Sequence, residues 1–134
     1  MAVEFRWSRL GPVRRDADGE LLFPSTGYVP GVYRFRVVGD GPERHYVGEA
    51  SELRRRFQQY RTPGSSQRTN LWLNQLFRDH LEGGGHIEVD VAKGVQLGSD
   101  GGPTADLNDA SLRKLVESTG IVAGKAEGLG ILNR

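Results

Sequence analysis

Two tripeptides, Gly31-Val32-Tyr33 and Tyr46-Val47-Gly48, place phenols on consecutive strand-like runs, and the second run leads into an Arg-rich helix from Glu52 to Tyr60. Much later an isolated carboxylate stands in Leu115-Val116-Glu117-Ser118. These groups suit chemistry at a phosphate. A guanidinium forks onto phosphate oxygens. A phenol, with an unperturbed pKa near ~10, holds a hydrogen bond at neutral pH and acts as a base only where a cation depresses that value. Each residue alone has a plainer reading. A strand tyrosine commonly packs, Arg54-Arg55-Arg56 commonly makes a solvated helix face, and Glu117, four past Arg113, could form a surface pair with it.

The elements that must position these groups follow from pattern. Residues 1–30 show no clear period and read as an N-terminal extension packing Phe5, Trp7, Leu22 or Phe23 against the body. Tyr33, Phe35 and Val37 alternate with Arg34 and Arg36, as in a half-buried strand. Gly39 to Pro42 is a turn and Arg44 to Gly48 the return strand of a hairpin. Ser51 is the expected cap of a helix over 52–60, and Thr62 to Ser66 breaks it. A second helix is predicted over 69–82, stopped by Gly83-Gly84-Gly85. His86 to Val91 alternates as a third strand. A polar loop covers 98–104. Asp106 is the expected cap of a third helix over 107–119, with Leu112, Leu115 and Val116 buried and Gly120 as its stop. The Gly-rich tail offers Leu129, Ile131 and Leu132 for docking. The order β-β-α-α-β-α predicts an α/β fold, with a small, mainly antiparallel three-stranded sheet flanked by helices, as a single domain over 1–134.

The phenols can share a site only if the hairpin register allows it. Paired residue numbers in an antiparallel hairpin have a constant sum. A sum of 81, with Phe35 opposite Tyr46 and 39–42 as the loop, puts Tyr33 and Tyr46 on one face. A five-residue loop, 39–43, gives 82 and separates them unless a bulge intervenes.

Composition narrows the function classes. The chain has 134 residues, net charge +1 and no cysteine, which excludes disulfides and thiolate chemistry. No apolar run is long enough for a membrane span and the start lacks a signal-peptide pattern, so a cytoplasmic protein is expected. Charge is unevenly placed. Eight arginines lie between Arg34 and Arg68 against four acids, while 79–127 holds nine acids against four bases. Fifteen of the 18 basic residues are Arg, the residue that best matches phosphate geometry. The expectation is one polyanion-facing surface. Ser65 to Asn70, with Arg68, could also meet phosphate at the second helix. His45, His80 and His86 lack metal-site spacing and read as structural.

Over 31–60 the motifs closely resemble the GIY-YIG nuclease family, and the resemblance extends more loosely to 134. It implies a metal-dependent endonuclease that hydrolyses DNA phosphodiesters, with Mg²⁺ or Mn²⁺ as cofactor. It makes Tyr33 and Tyr46 the functional phenols, Arg56, ten residues after Tyr46, the catalytic guanidinium, and Arg54 and Arg55 flanking substrate charges. It also makes Tyr60 a partner one turn beyond Arg56, Glu117 the metal ligand and Asn133 a substrate-side residue. Tyr60 in place of His is closest in motif to the GIY-YIG domain of the excision-repair subunit that makes the 3′ incision. Glu49 departs from the Lys common after that motif, and could weaken DNA binding or add a metal ligand. The competing reading is a DNA-binding module of the same fold that cuts weakly or not at all.

Overall fold

The computed structural model describes residues 3–97, 104–128 and 130–133. Among the described residues seven strands and three helices follow in the order β1 (Val3–Pro12), β2 (Arg14–Arg15), β3 (Leu21–Leu22), β4 (Gly31–Val38), β5 (Arg44–Ala50), α1 (Leu53–Arg61), α2 (Arg68–Glu82), β6 (His86–Leu97), α3 (Ala110–Ala126) and β7 (Gly130–Ile131).

The expected three-stranded sheet is corrected. Among the described residues the main sheet is five-stranded and mixed, in the order β1-β6-β4-β5-β7, with β2 and β3 as a separate ribbon. The N-terminal stretch supplies an edge strand, β1, antiparallel to β6, and β7 adds the parallel contact beside β5. Two physical reasons hid this. Register shifts between Arg6 and Trp7 and between Arg9 and Gly11 break the period-2 pattern of β1. Gly11 sits at φ 154°, closely against Pro24. The third strand also runs on to Leu97, past the Val91 where its alternation ends. The expected polar loop falls mostly on 98–103 and the docking of Leu129 on 129, both outside the described residues.

The hairpin pairs Phe35 with Tyr46 and Tyr33 with Gly48, the register of sum 81. Five residues, 39–43, nevertheless lie between the strands, because Val38 continues β4 by pairing with His86 rather than with β5. Tyr33, Phe35, Val37, Ile87, Val89 and Val91 therefore form one buried face, packed with Leu53, Phe57 and Tyr60 of α1 and Leu73 and Phe77 of α2. The opposite face buries Val32, Val47, Ala92 and Val95 with Val116 of α3, and Phe5 and Trp7 pack there. Phe23 joins the first face, whereas Leu22 is exposed.

The helix ends depart from the caps read in sequence. Glu52, not Ser51, occupies the N-cap of α1, without a side-chain bond. Backbone supplies the missing acceptors instead: the N–H of Leu53 donates to the Val29 carbonyl at 2.8 Å and that of Arg54 to the Gly27 carbonyl at 3.2 Å. Helix α3 is capped by Asp109, which accepts from the N–H groups of Ser111 and Leu112. It also continues through Gly120. A Cβ at Gly120 would lie 3.3 Å from Phe5 and 3.4 Å from Val47, and one at Gly124 only 2.6 Å from Ile131 Cδ1. The two glycines, one turn apart, let α3 close on the sheet, and that packing outweighs their helix cost of about 1 kcal/mol each. Val116 is fully buried, Leu112 partly so, and Leu115 is 41% exposed. No helix among the described residues is long and apolar enough to cross a membrane.

Candidate active site

The register fixes the start of the site. Tyr33 and Tyr46 project from the same face, and the Tyr33 ring lies over Gly48, where any Cβ would overlap its Cζ and Oη. That overlap explains why glycine ends the second tripeptide. Tyr33 is completely buried, and its hydroxyl lies 2.5 Å from that of Tyr60, also buried, from the last turn of α1. One turn earlier, the half-buried Arg56 places its guanidinium beside the phenols of Tyr33 and Tyr60 and donates to the Glu49 carbonyl at 3.1 Å. Tyr46 is only partly buried and adjoins Tyr60, Glu117 and Arg56. Tyr33, Tyr46, Arg56, Tyr60 and Glu117 thus converge, contributed by β4, β5, α1 and α3.

Burial dominates the proton affinities here. It pushes the phenol of Tyr33 well above its ordinary value, against the pull of Arg56. Burial and then the neighbouring Tyr60 do the same to Tyr46, and burial and Tyr33 to Tyr60. All three phenols are protonated at neutral pH. Tyr33, without solvent contact, orders its neighbours, leaving Tyr46 as the phenol that can meet a water or a substrate oxygen. The carboxyl of Glu117 is raised above 4.5, first by burial and then by the charge of Glu49. It forms no ion pair among the described residues.

Arg113 does not pair with Glu117. It is buried, donates from Nε to Glu49 at 2.9 Å and from Nη1 to the carbonyls of Leu107 and Asn108 at 2.9 and 3.1 Å. The side chain of Glu49 is thereby ion-paired from α3 and is no open acid, though its carboxylate still raises the proton affinity of Glu117. Sequence spacing carries no signal for this bond, since its partners lie 64 residues apart.

Asn133 serves β5 itself. Its amide donates to the Val47 carbonyl at 2.7 Å and accepts from the Val47 N–H at 3.0 Å. Arg54, Arg55 and Arg68 stand outside the cluster. Arg54 is exposed over the Tyr28 ring at 4.9 Å, Arg55 is 70% exposed and 3.8 Å from Glu52, and Arg68 is exposed at the start of α2. Nε2 of His80 bonds the Val38 carbonyl at 2.7 Å, tying α2 to β4. His45 is buried 3.1 Å from Glu43, and His86 is exposed.

Among the described residues no group of three or more histidines and acids gathers as a metal cage. Mg²⁺ needs no such cage, because it keeps several waters and commonly takes one or two carboxylates plus substrate phosphate. Glu117 fits that demand: it is a half-buried carboxylate with a raised proton affinity and no ion pair among the described residues.

No protein-family model matches the chain, and no curated protein matches it in sequence. Among solved structures it is similar in fold to a glutamate-to-alanine mutant of bacteriophage T4 EndoII, with a TM-score of 0.61 at 16% identity, over 89% of this chain and 88% of that one. The chain shares the EndoII fold.

Proposed function

We propose that the chain is a metal-dependent DNA endonuclease that hydrolyses phosphodiester bonds, with Mg²⁺ or Mn²⁺ as its cofactor and DNA as its substrate. The observation that carries this reading is the meeting of Arg56, Tyr46 and Glu117 at one end of the β4–β5 hairpin. The motif resemblance and the fold shared with EndoII support it.

In the reaction a water oxygen bonds to phosphorus, the P–O ester bond breaks, and the leaving oxygen takes up a proton while the water loses one. Glu117 would hold the metal ion, which when bound supplies Lewis acidity and a water of lowered pKa. Arg56 forks onto the scissile phosphate and stabilises charge developing there. Tyr46, protonated by virtue of its burial, donates to a phosphate oxygen or holds the attacking water in line. Tyr33 and Tyr60 keep Arg56 and Tyr46 in place through their mutual hydrogen bond. No covalent intermediate on the protein is required.

A supercoiled-plasmid nicking assay tests the reading. Nicking is expected with Mg²⁺ or Mn²⁺ and none with EDTA, and Arg56→Ala should cost about 10²-fold or more in rate while the protein stays folded. Binding to DNA without nicking under any divalent metal would establish the non-cleaving module instead.

A further inference from the structure

Three of the large hydrophobic side chains that the structure leaves exposed lie close together in the segment leading to β4: Leu22 at 42%, Tyr28 at 58% and Val29 at 51%. This segment is not loose, since the Gly27 and Val29 carbonyls accept the first amide hydrogens of α1. Tyr28 is therefore held out by a fixed backbone. The guanidinium of Arg54 lies over its ring at 4.9 Å, and Arg54 forms no ion pair among the described residues. Arg54 also helps line a cleft of about 230 Å³, whose other walls include Phe23, Phe57, Gln58 and Arg61. An exposed ring backed by an unneutralised guanidinium, beside apolar walls with a polar rim, suits a planar group attached to a negatively charged backbone.

We propose that Tyr28 and Arg54 form a stacking platform for an unstacked nucleobase of the substrate, with Arg54 also meeting its phosphate. This rests on DNA being the substrate and names the form of DNA the protein favours: a strand with an unpaired base, as at a flap, bulge or frayed end. Arg54 and Arg56 lie in the same turn of α1, about 3 Å apart along the axis but on nearly opposite sides of a helix roughly 10 Å wide. The family resemblance marks Arg54 as a flanking substrate charge, but Tyr28 falls outside the two tripeptides and carries no such mark.

The test is fluorescence anisotropy in EDTA, where cleavage plays no part, with a labelled single-stranded oligonucleotide and the same sequence as a blunt duplex. Tyr28→Ala should weaken single-strand binding at least about 5-fold, the low end of what an aromatic–base stack contributes. It should leave the salt dependence unchanged, whereas Arg54→Ala should lower the slope of log K against log salt by about 0.7. Tyr28→Phe should keep wild-type affinity, and so should Val122→Ala, which trims another exposed apolar side chain far along α3. Equal single-strand affinity for Tyr28→Ala and wild type overturns the platform, even in a protein that nicks plasmid. Weakened binding in a protein that never nicks upholds the platform and overturns the nuclease reading.

Discussion

Glu117 is where the chain's chemistry and its stability pull apart. Burial and the charge of Glu49 raise its proton affinity above 4.5 in the folded chain. Between 4.5 and that raised value the native state binds more protons than the unfolded one, so stability falls as pH rises through the window and stays lowered above it. At pH 7 the ionised carboxylate is therefore a small burden on the fold. Glu117→Gln should raise stability by no more than about 1 kcal/mol, because water partly screens the half-exposed group. The same change should abolish metal-dependent nicking while DNA binding persists or tightens, since one repulsive charge is gone. Parallel urea denaturation and nicking assays check both. A loss of stability together with full activity would return Glu117 to a merely structural part.

The hairpin is the element on which the site depends. Its register alone decides whether Tyr33 and Tyr46 share a face, and the close seat of Tyr33 on Gly48 holds that register. Asn133 locks β5 from its outer edge through both polar groups of Val47, and α1, which follows β5 in the chain, carries Arg56 and Tyr60 to the phenol of Tyr33. Gly48→Ala should accordingly force the Tyr33 ring out of its buried position and cost about 1–3 kcal/mol, as overpacking a core does. The loss should appear as a lower denaturation midpoint with an unchanged m-value. Nicking should fall as well, because the displaced phenol no longer braces Tyr60 and Arg56.

At the scale of the whole molecule, a ligand that binds only the folded chain stabilises it by mass action. Mg²⁺ or Mn²⁺ at about 100 times its dissociation constant should add about 2.7 kcal/mol and raise Tm in a thermal melt. Glu117→Gln should show no such rise, and neither should wild type with the same metal in excess EDTA. An identical metal-dependent shift in both proteins would place the ion elsewhere. The uneven charge has a counterpart here too: Arg54 and Arg55 are exposed on the helix that carries Arg56, while Arg61 of the same helix donates to Asp16 and the Leu21 carbonyl.

The sequence by itself determined what is local. Alternation in 33–37 and the turn at 39–42 specified the hairpin, the 3.6 period specified α1 and α2, and the motif resemblance over 31–60 marked out Tyr33, Tyr46, Arg56 and Tyr60, which meet in the folded chain. Tertiary structure decided what depends on distant partners. Which strands complete the sheet was hidden because β1 carries two register shifts and β7 is two residues long, too short to have a period. The passage of α3 through Gly120 was hidden because glycine weakens an isolated helix, and only contact with Phe5, Val47 and Ile131 makes two of them favourable. The partner of Arg113 was hidden for the same kind of reason. An i,i+4 acid was available on its own helix, but the bond went to Glu49, where burial beside β5 strengthens the pairing and two loop carbonyls complete the guanidinium's hydrogen bonds. Residue types and the motif resemblance pointed to which groups could do chemistry; long-range packing decided which of them face solvent, which are braced and which are ion-paired.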